Sequence, residues 1–301
     1  MKISVAICTW NRSRLLRRTL ERLCEINTDG RFSWELILVN NHSTDDTAQV
    51  IDDFSGLLPI VSLFEPVQGL TPCRNRAVAE ASGDYVVWTD NDVLVCKNWL
   101  VSYVDAFEAE PEVAFFGGAI EPWFEPPGRP EWIESTWEKC KPVYAARDIG
   151  ETPVDLTEDR LPYGANFAIR TDFQRVYLYD PMLGRVRSAM IGGEETHVLE
   201  QIARAGGKGR WVPNAKVQHI VPADRATERY IRSYYVGQGQ ANVLFNKQGS
   251  RRMVALLDAS YQSLLYRLKR HRKQPDEWVS HMIRACISWG EFTSYRSRSL
   301  P

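Results

Sequence analysis

The chain predicts an α/β fold built on a mainly parallel sheet flanked by helices, and three observations carry that expectation. Short apolar, β-prone runs alternate with helical runs through residues 1 to about 118, the order that produces parallel strands joined by helical crossovers. One such run, "YVVW" at 85 to 88, is apolar throughout, as in a sheet covered on both faces. That run ends in "TDND", placing Asp90 and Asp92 at a strand end, where the ligands of such sheets gather.

Taken in order, "ISVAIC" predicts the first strand and "SRLLRRTLERL" a helix with Leu16, Leu20 and Leu23 on one face. "WELILVN" is the second strand. A helix with Thr47, Val50, Ile51 and Phe54 on one face follows, with Ser43 and Thr44 as its cap candidates. "LPIVSLF" is the third strand, and Thr71-Pro72 reads as the cap and first-turn pair of "CRNRAVAEAS". Next come the strand ending at Asp90 and a helix bearing Leu100, Val104 and Phe107. Thr9, Asn40 and Asp90 are thereby expected along one rim.

Between 119 and 163 the periodicity fails, and "AIEPWFEPPGRPEWIESTW" predicts an irregular lobe. "YGANFAIR" resumes as a strand. "GGEETHVLEQIARAGG" is a helix opened by glycines and acids and closed at Gly206 or Gly207, and "GRWVPNAKVQH" is a further strand. From about Ala226 the chain reads as helical and increasingly basic, with "RLKRHRK" at 267 to 273. The expected division is a domain over 1–240, in halves 1–118 and 119–240, and a helical C-terminal extension over 241–301.

Thirty-seven basic residues face 38 acidic ones in 301, so no overall field argues for a nucleic-acid partner. Six cysteines without C-x-x-C spacing predict neither a zinc site nor a disulfide framework and fit a reducing cytoplasm. The opening "MKISVAICTW" is too short an apolar run for a signal peptide, and no stretch reaches the length of a membrane span. The expected location is cytoplasmic, with any membrane attachment peripheral, at the inner face. "MVALLDASYQSLLYRLKRHRKQ" joins Leu256, Leu257, Leu264, Leu265 and Leu268 to a basic cluster. That composition fits a helix lying on an anionic surface as well as one packed on the rest of the chain with its charges in water.

Asp90 and Asp92 pose the central chemical question, because neighbouring like charges repel unless something positive lies between them. Both can converge on one hard cation, directly or one through water; alternatively each caps the turn that follows. "GDYVVWTDNDV" resembles the D-x-D segment of family 2 glycosyltransferases, enzymes of the GT-A fold. "SVAICTWNR" resembles that family's first strand and loop, "ELILVNNHSTDDT" its second, "GLTPCRNRAVAEASGDYVVWTDND" its third and "GGEETHVLEQIARAGG" its catalytic helix. These segments follow family order across roughly residues 3 to 240.

The resemblance implies an inverting transferase that moves a sugar from a nucleotide diphosphate sugar to a hydroxyl of a glycan or lipid-linked acceptor. It implies Mn²⁺ or Mg²⁺ held by Asp90 and Asp92, to neutralise the departing diphosphate. His219 would complete the metal shell, or else be a histidine hydrogen-bonded near a strand end. Thr9 and Asn11 match the loop that meets the nucleoside, Asp90 and Asn91 belong to the nucleotide site, and Arg74 with Asn75 matches a pair beside base and phosphate. Asn40 departs from the usual Asp; an amide both accepts and donates, so uridine fits while guanine, thymine and cytosine stay open.

Glu195 stands at the position of the catalytic base, in place of the commoner Asp, and Glu194 is the second candidate. Acids in the first turn of any helix also simply meet its positive end. Gly164, Ala165 and Asn166 match the strand that lines acceptor and donor sugar. Trp123, Trp132 and Trp137 are either sugar platforms or packing. Arg225 is the expected pyrophosphate contact, in a flexible segment "VPADRATERYIRSYYVGQG". The rival readings are a nucleotidyltransferase or Rossmann oxidoreductase, against which "CTWNRSR" stands where a G-x-G-x-x-G belongs, and a non-catalytic nucleotide- or glycan-binding protein on the same fold.

Overall fold

The computed structural model describes residues 1–184, 192–245, 252–271 and 274–297. Strand β1 (Lys2–Thr9) leads to α1 (Ser13–Leu23), β2 (Ser33–Asn40), α2 (Thr47–Phe54), β3 (Ile60–Phe64), α3 (Leu70–Glu80), β4 (Tyr85–Thr89), β5 (Val93–Val95) and α4 (Trp99–Ala109). Then come β6 (Phe115–Phe124), α5 (Glu131–Glu134), α6 (Trp137–Cys140), β7 (Asp155–Leu156), β8 (Asn166–Arg170), α7 (Thr171–Val176), α8 (Glu194–Arg204) and β9 (Gly209–Val221). The chain closes with α9 (Glu228–Phe245), α10 (Arg252–Arg270) and α11 (Pro275–Ser297).

Contacts divide the chain into two compact units. The first comprises Met1–Trp123, Ala145–Met182 and Glu194–Ile220; the second comprises Phe124–Tyr144, Leu183–Gly193 and Val221–Pro301. The expected boundary at 240/241 falls inside the continuous helix α9, and part of the expected irregular lobe joins the C-terminal helices.

The sheet runs β3-β2-β1-β4-β8-β6-β9-β5, with β7 paired to β9. Its first four strands are parallel, and β8 returns antiparallel to β4. Thr9 pairs with Asn40, and Ala6 with Trp88, so β1, β2 and β4 finish on one rim, as expected. One face of the sheet is covered by Leu16, Leu20, Val50, Phe54, Leu100 and Val104 from α1, α2 and α4. The other is covered by Cys73, Ala77 and Val78 of α3 and Val198, Leu199 and Ile202 of α8. The two-sided apolar strands thus end up between two helical layers. The layer carrying α3 and α8 is the one that delivers Arg74 and the two glutamates.

Two cap assignments are corrected. Helix α2 starts at Thr47, where Asp45 Oδ1 accepts from the Thr47 backbone N–H at 3.1 Å. Ser43 and Thr44 lie further back and bind Asn11 instead. Helix α3 starts one residue earlier than Thr71, after Gly69. The φ of Gly69 is 145°, a conformation that side chains rarely adopt, so glycine is the residue that lets the chain enter this helix.

In the second unit, Ile133, Tyr144, Ile231, Tyr235, Tyr266, Trp278 and Met282 form a core, with Trp132 and Trp137 packed against it. Trp137 stacks on Tyr144, and Trp132 tilts against Trp278. These two tryptophans follow the packing alternative. The expected flexible segment is helical from Glu228 onward. Arg272 and Lys273 of the basic run lie outside the described residues.

Candidate active site

At the rim, the loop after β1 is stitched to the loop after β2. Asn11 takes a left-handed backbone with φ 49°, which asparagine tolerates. Its backbone N–H donates to Ser43 Oγ at 3.0 Å, and its side-chain oxygen accepts from the Thr44 N–H at 2.7 Å. Asn40 Oδ1 accepts from the Ser43 N–H at 3.0 Å, which orients the amide because the opposite flip would face donor to donor. Thr9, 2% exposed, accepts from Asn91 Nδ2 at 2.9 Å. The middle residue of D-x-D therefore ties that loop to β1. Asn41, which sequence reasoning passed over, donates to the Glu65 and Val67 carbonyls and accepts from the Gly69 N–H, holding the approach to α3.

Asp92 is buried, and His219 Nε2 lies 3.4 Å from its Oδ1. The contact follows from pairing: Val93, next to Asp92, stands opposite His219 where β5 meets β9. A carboxylate oxygen and an imidazole nitrogen make a donor set that suits Mn²⁺ and shares its oxygen preference with Mg²⁺. Among the described residues no group of three or more His, Cys, Asp or Glu is gathered as a metal cage.

Arg74 is placed differently from a residue that reaches into open solvent. It is 2% exposed. Its guanidinium lies 5.3 Å from the Trp88 ring, 5.6 Å from Phe167 and 5.1 Å from Tyr179. Nη2 is 3.7 Å from Glu194 Oε1, while Nε and Nη1 carry no hydrogen bond among the described residues. Burial opposes the charge, yet Tyr179, Glu194, Glu195 and Asp90 outweigh it and raise the guanidinium pKa above its ordinary value. Asn75 does not face outward either. It exchanges two hydrogen bonds of 2.9 Å with the Tyr179 backbone, and so positions one wall of this box.

The adjacent glutamates separate. Glu194 is 4% exposed and faces Arg74. Glu195 is half-buried, and its Oε1 accepts from the Gly164 N–H at 3.1 Å. A Cβ at Gly164 would stand 2.8 Å from Arg74 Nη2 and 3.2 Å from Glu195 Oε1. Glycine at 164 is thus what lets the cation and the carboxylate close around one backbone position. The neighbouring Ala165 carbonyl accepts from Thr89 Oγ1 at 3.0 Å, so the Glu195 anchor adjoins the end of β4, one residue before Asp90.

Two of the three expected sugar-lining residues are corrected. Asn166 is fully buried, accepts from Trp99 Nε1 and Tyr103 OH, and donates to the Ala119 and Ala215 carbonyls. With both sets of polar sites used, it ties β8 to β6, β9 and α4. Ala165 is 2% exposed, which leaves Gly164 as the accessible member. Trp123 carries Arg18 over its ring at 4.9 Å. Arg225 belongs to the second unit, where it is buried with its guanidinium 5.6 Å from the Tyr230 ring.

Residues 4–156 match the family described as Glycosyl transferase family 2. The succinoglycan biosynthesis protein ExoM of Rhizobium meliloti is 24% identical over 255 residues, 82% of this chain and 76% of that protein. A glucosyl-dolichyl phosphate glucuronosyltransferase of Haloferax volcanii is 24% identical over 290 residues, 91% of this chain and 88% of that protein. Among solved structures, the mannosyltransferase PcManGT from Pyrobaculum calidifontis, in complex with GDP-Man and Mn2+, superposes with a TM-score of 0.58 at 17% identity, covering 95% of this chain and 86% of that one. S. aureus TarS 1-349 in complex with UDP gives 0.56 at 15% identity, covering 99% and 92%. These two likenesses show the fold, that of GT-A glycosyltransferases.

Proposed function

Since the chain belongs to glycosyl transferase family 2 and is a glycosyltransferase, we propose that it moves a sugar, with inversion, from a nucleotide diphosphate donor to a hydroxyl of a glycan or lipid-linked acceptor, with Glu195 as base. The observation that carries this reading is the separation of Glu194 from Glu195. One carboxylate is buried against Arg74, and the other stays partly accessible and accepts from the Gly164 N–H. A base must reach an incoming hydroxyl, and of the two only Glu195 is open to one.

In this reaction Glu195 takes the proton of the acceptor hydroxyl while the hydroxyl oxygen bonds to the anomeric carbon. The bond from that carbon to the β-phosphate oxygen breaks, and its electron pair leaves with the diphosphate. The Arg74 guanidinium lies 3.7 Å from Glu194, and the charges of Glu195 and Asp90 also reach it. Asp92 and His219, with Asp90 two residues before Asp92 in the chain, would hold Mn²⁺ or Mg²⁺. The cation's contribution when bound is to neutralise charge developing on the departing diphosphate.

Asn40 bears on donor choice. Its oxygen already serves Ser43, so the amide N–H₂ is the group it offers a nucleobase carbonyl. Uracil and thymine present one at O4 and guanine at O6, which makes UDP-, dTDP- and GDP-sugars the first donors to try. The test is a thermal-shift panel of nucleotide sugars with Mn²⁺, since a ligand bound only by the native state raises apparent stability, followed by transfer assays with and without EDTA. Undiminished turnover in EDTA removes the metal step. Full activity of Glu195→Gln removes the base.

A further inference from the structure

Helix α10 is built inside out. Met253, Val254, Leu257, Tyr261, Leu264 and Leu268 are between 55% and 67% exposed, and at 3.6 residues per turn they share about 100° of arc. The opposite face buries Ala255, Ala259, Gln262 and Tyr266. Two alanines, a glutamine and a tyrosine meet the core while the large aliphatic side chains meet solvent, the reverse of an ordinary surface helix. Leu256 and Leu265, which the composition grouped with this stripe, lie half-buried at its flanks. Among the described residues no helix is long and apolar enough to cross a membrane.

The charge around the stripe is one-sided. Arg252, Arg267, Lys269 and Arg270 share the helix with Asp258, and that carboxylate is taken by Arg284 at 3.0 Å and Ser288 at 2.6 Å. Beside the stripe lies a cleft of about 950 Å³ between α9, α10 and α11, in whose lining Leu264 adjoins Arg229, Arg232 and Arg267. All three arginines are exposed. Glu228 in the same lining is engaged by Tyr266, by Arg232 and by Arg270. Ser263 also lines the wall, while the Ser233 and Ser260 hydroxyls there donate to the Arg229 and Leu256 carbonyls of their own helices. Guanidinium groups are the donors that suit a phosphate monoanion.

We propose that the outer face of α10 and this arginine cleft form a docking surface for an anionic phospholipid bilayer. The stripe enters the interfacial region, and the cleft receives a headgroup phosphate. An apolar band edged with cations is complementary to acyl chains below a negative surface, and each contribution alone gives weak, reversible attachment. The proposal is independent of the transfer chemistry, because attachment is read without turnover.

The test is co-sedimentation of the full chain with vesicles of phosphatidylcholine alone and of phosphatidylcholine mixed with phosphatidylglycerol. The wild type is expected to sediment with the anionic vesicles, less so at high salt, and weakly with the neutral ones. Leu257→Glu with Leu264→Glu should lower partitioning to anionic vesicles by roughly tenfold or more, and Arg229→Ala with Arg267→Ala should abolish the preference for them. Both doubles change exposed positions and should keep the wild-type melting curve. Wild-type protein that stays in the supernatant with both vesicles overturns the proposal. So does a dimer by light scattering that the leucine double dissociates, which would give the face to a second copy of the chain.

Discussion

Arg74 Nη2 stands 3.7 Å from Glu194 Oε1, and neither side chain is more than 5% exposed. Breaking a buried pair by removing one partner leaves an uncompensated charge, at about 3–5 kcal/mol. Arg74→Met should therefore lower unfolding free energy by about that amount in urea titration. Arg74→Lys should recover only part of it, because an ammonium cannot span Glu194 and the three aromatic faces as a planar fork does. Wild-type stability in Arg74→Met would remove the pair as a structural element.

Glu195→Gln should melt with the wild type while kcat falls about 10²–10⁴-fold, the usual range for loss of a general base. Glu194→Gln should behave in the opposite sense, losing stability first because it leaves Arg74 unbalanced. Comparing melting curves with single-turnover rates for both variants separates the roles, and a Glu194→Gln enzyme that is stable but inactive would reverse the assignment.

Gly164→Ala puts a methyl group 2.8 Å from Arg74 Nη2 and 3.2 Å from Glu195 Oε1. Overpacking of this kind costs about 1–3 kcal/mol, and displacing a base by about 1 Å can cost about 10²-fold in rate. The expected outcome is a modest fall in stability with a larger fall in kcat. A Gly164→Ala enzyme with unchanged kinetics would show that Glu195 is not positioned from this backbone.

Removal of the proposed metal ligands should show as a shift in metal dependence. Asp92→Asn and His219→Ala should each raise the Mn²⁺ concentration for half-maximal activity by roughly 10- to 100-fold or more, and the double should be worse than either. The same curve in both variants as in the wild type would place the cation elsewhere.

At the opposite end of the sheet, burial works to raise the Glu35 carboxyl, but hydrogen bonds from Ser4, Lys2 and Ser82 overcome it and hold the group down to about 2. A depressed acid contributes stability above its unfolded pKa of about 4.3. That contribution is lost as pH falls through the folded value. Glu35→Gln should cost about 1 kcal/mol at neutral pH, after discounting for solvent that still reaches the pair with Lys2. The two proteins should converge as pH approaches 2, and a constant difference across that range would rule out the linkage.

Much of the fold was legible because its signals are local. Apolar runs such as "VAIC", "LILV" and "YVVW", each followed by a helical stripe, give the parallel order and so the rim of Thr9, Asn40 and Asp90 without any contact being known. The caps were less legible. Ser43 and Thr44 have the right chemistry for a helix start, but Asn11, far back in the chain, claims both, and no local rule anticipates a competitor from another loop.

Spacing and side-chain type suffice for the alternation of strands and helices, the carboxylates at the end of β4 and the acids that open α8. Tertiary structure alone decided which glutamate is accessible, that Arg74 turns into an aromatic box, that Asn166 locks strands, that His219 meets Asp92 across a strand pair, and that α10 turns its large side chains outward. Each of these depends on burial and on partners distant in the chain. Periodicity assigns a residue to a face, while only packing decides what that face meets.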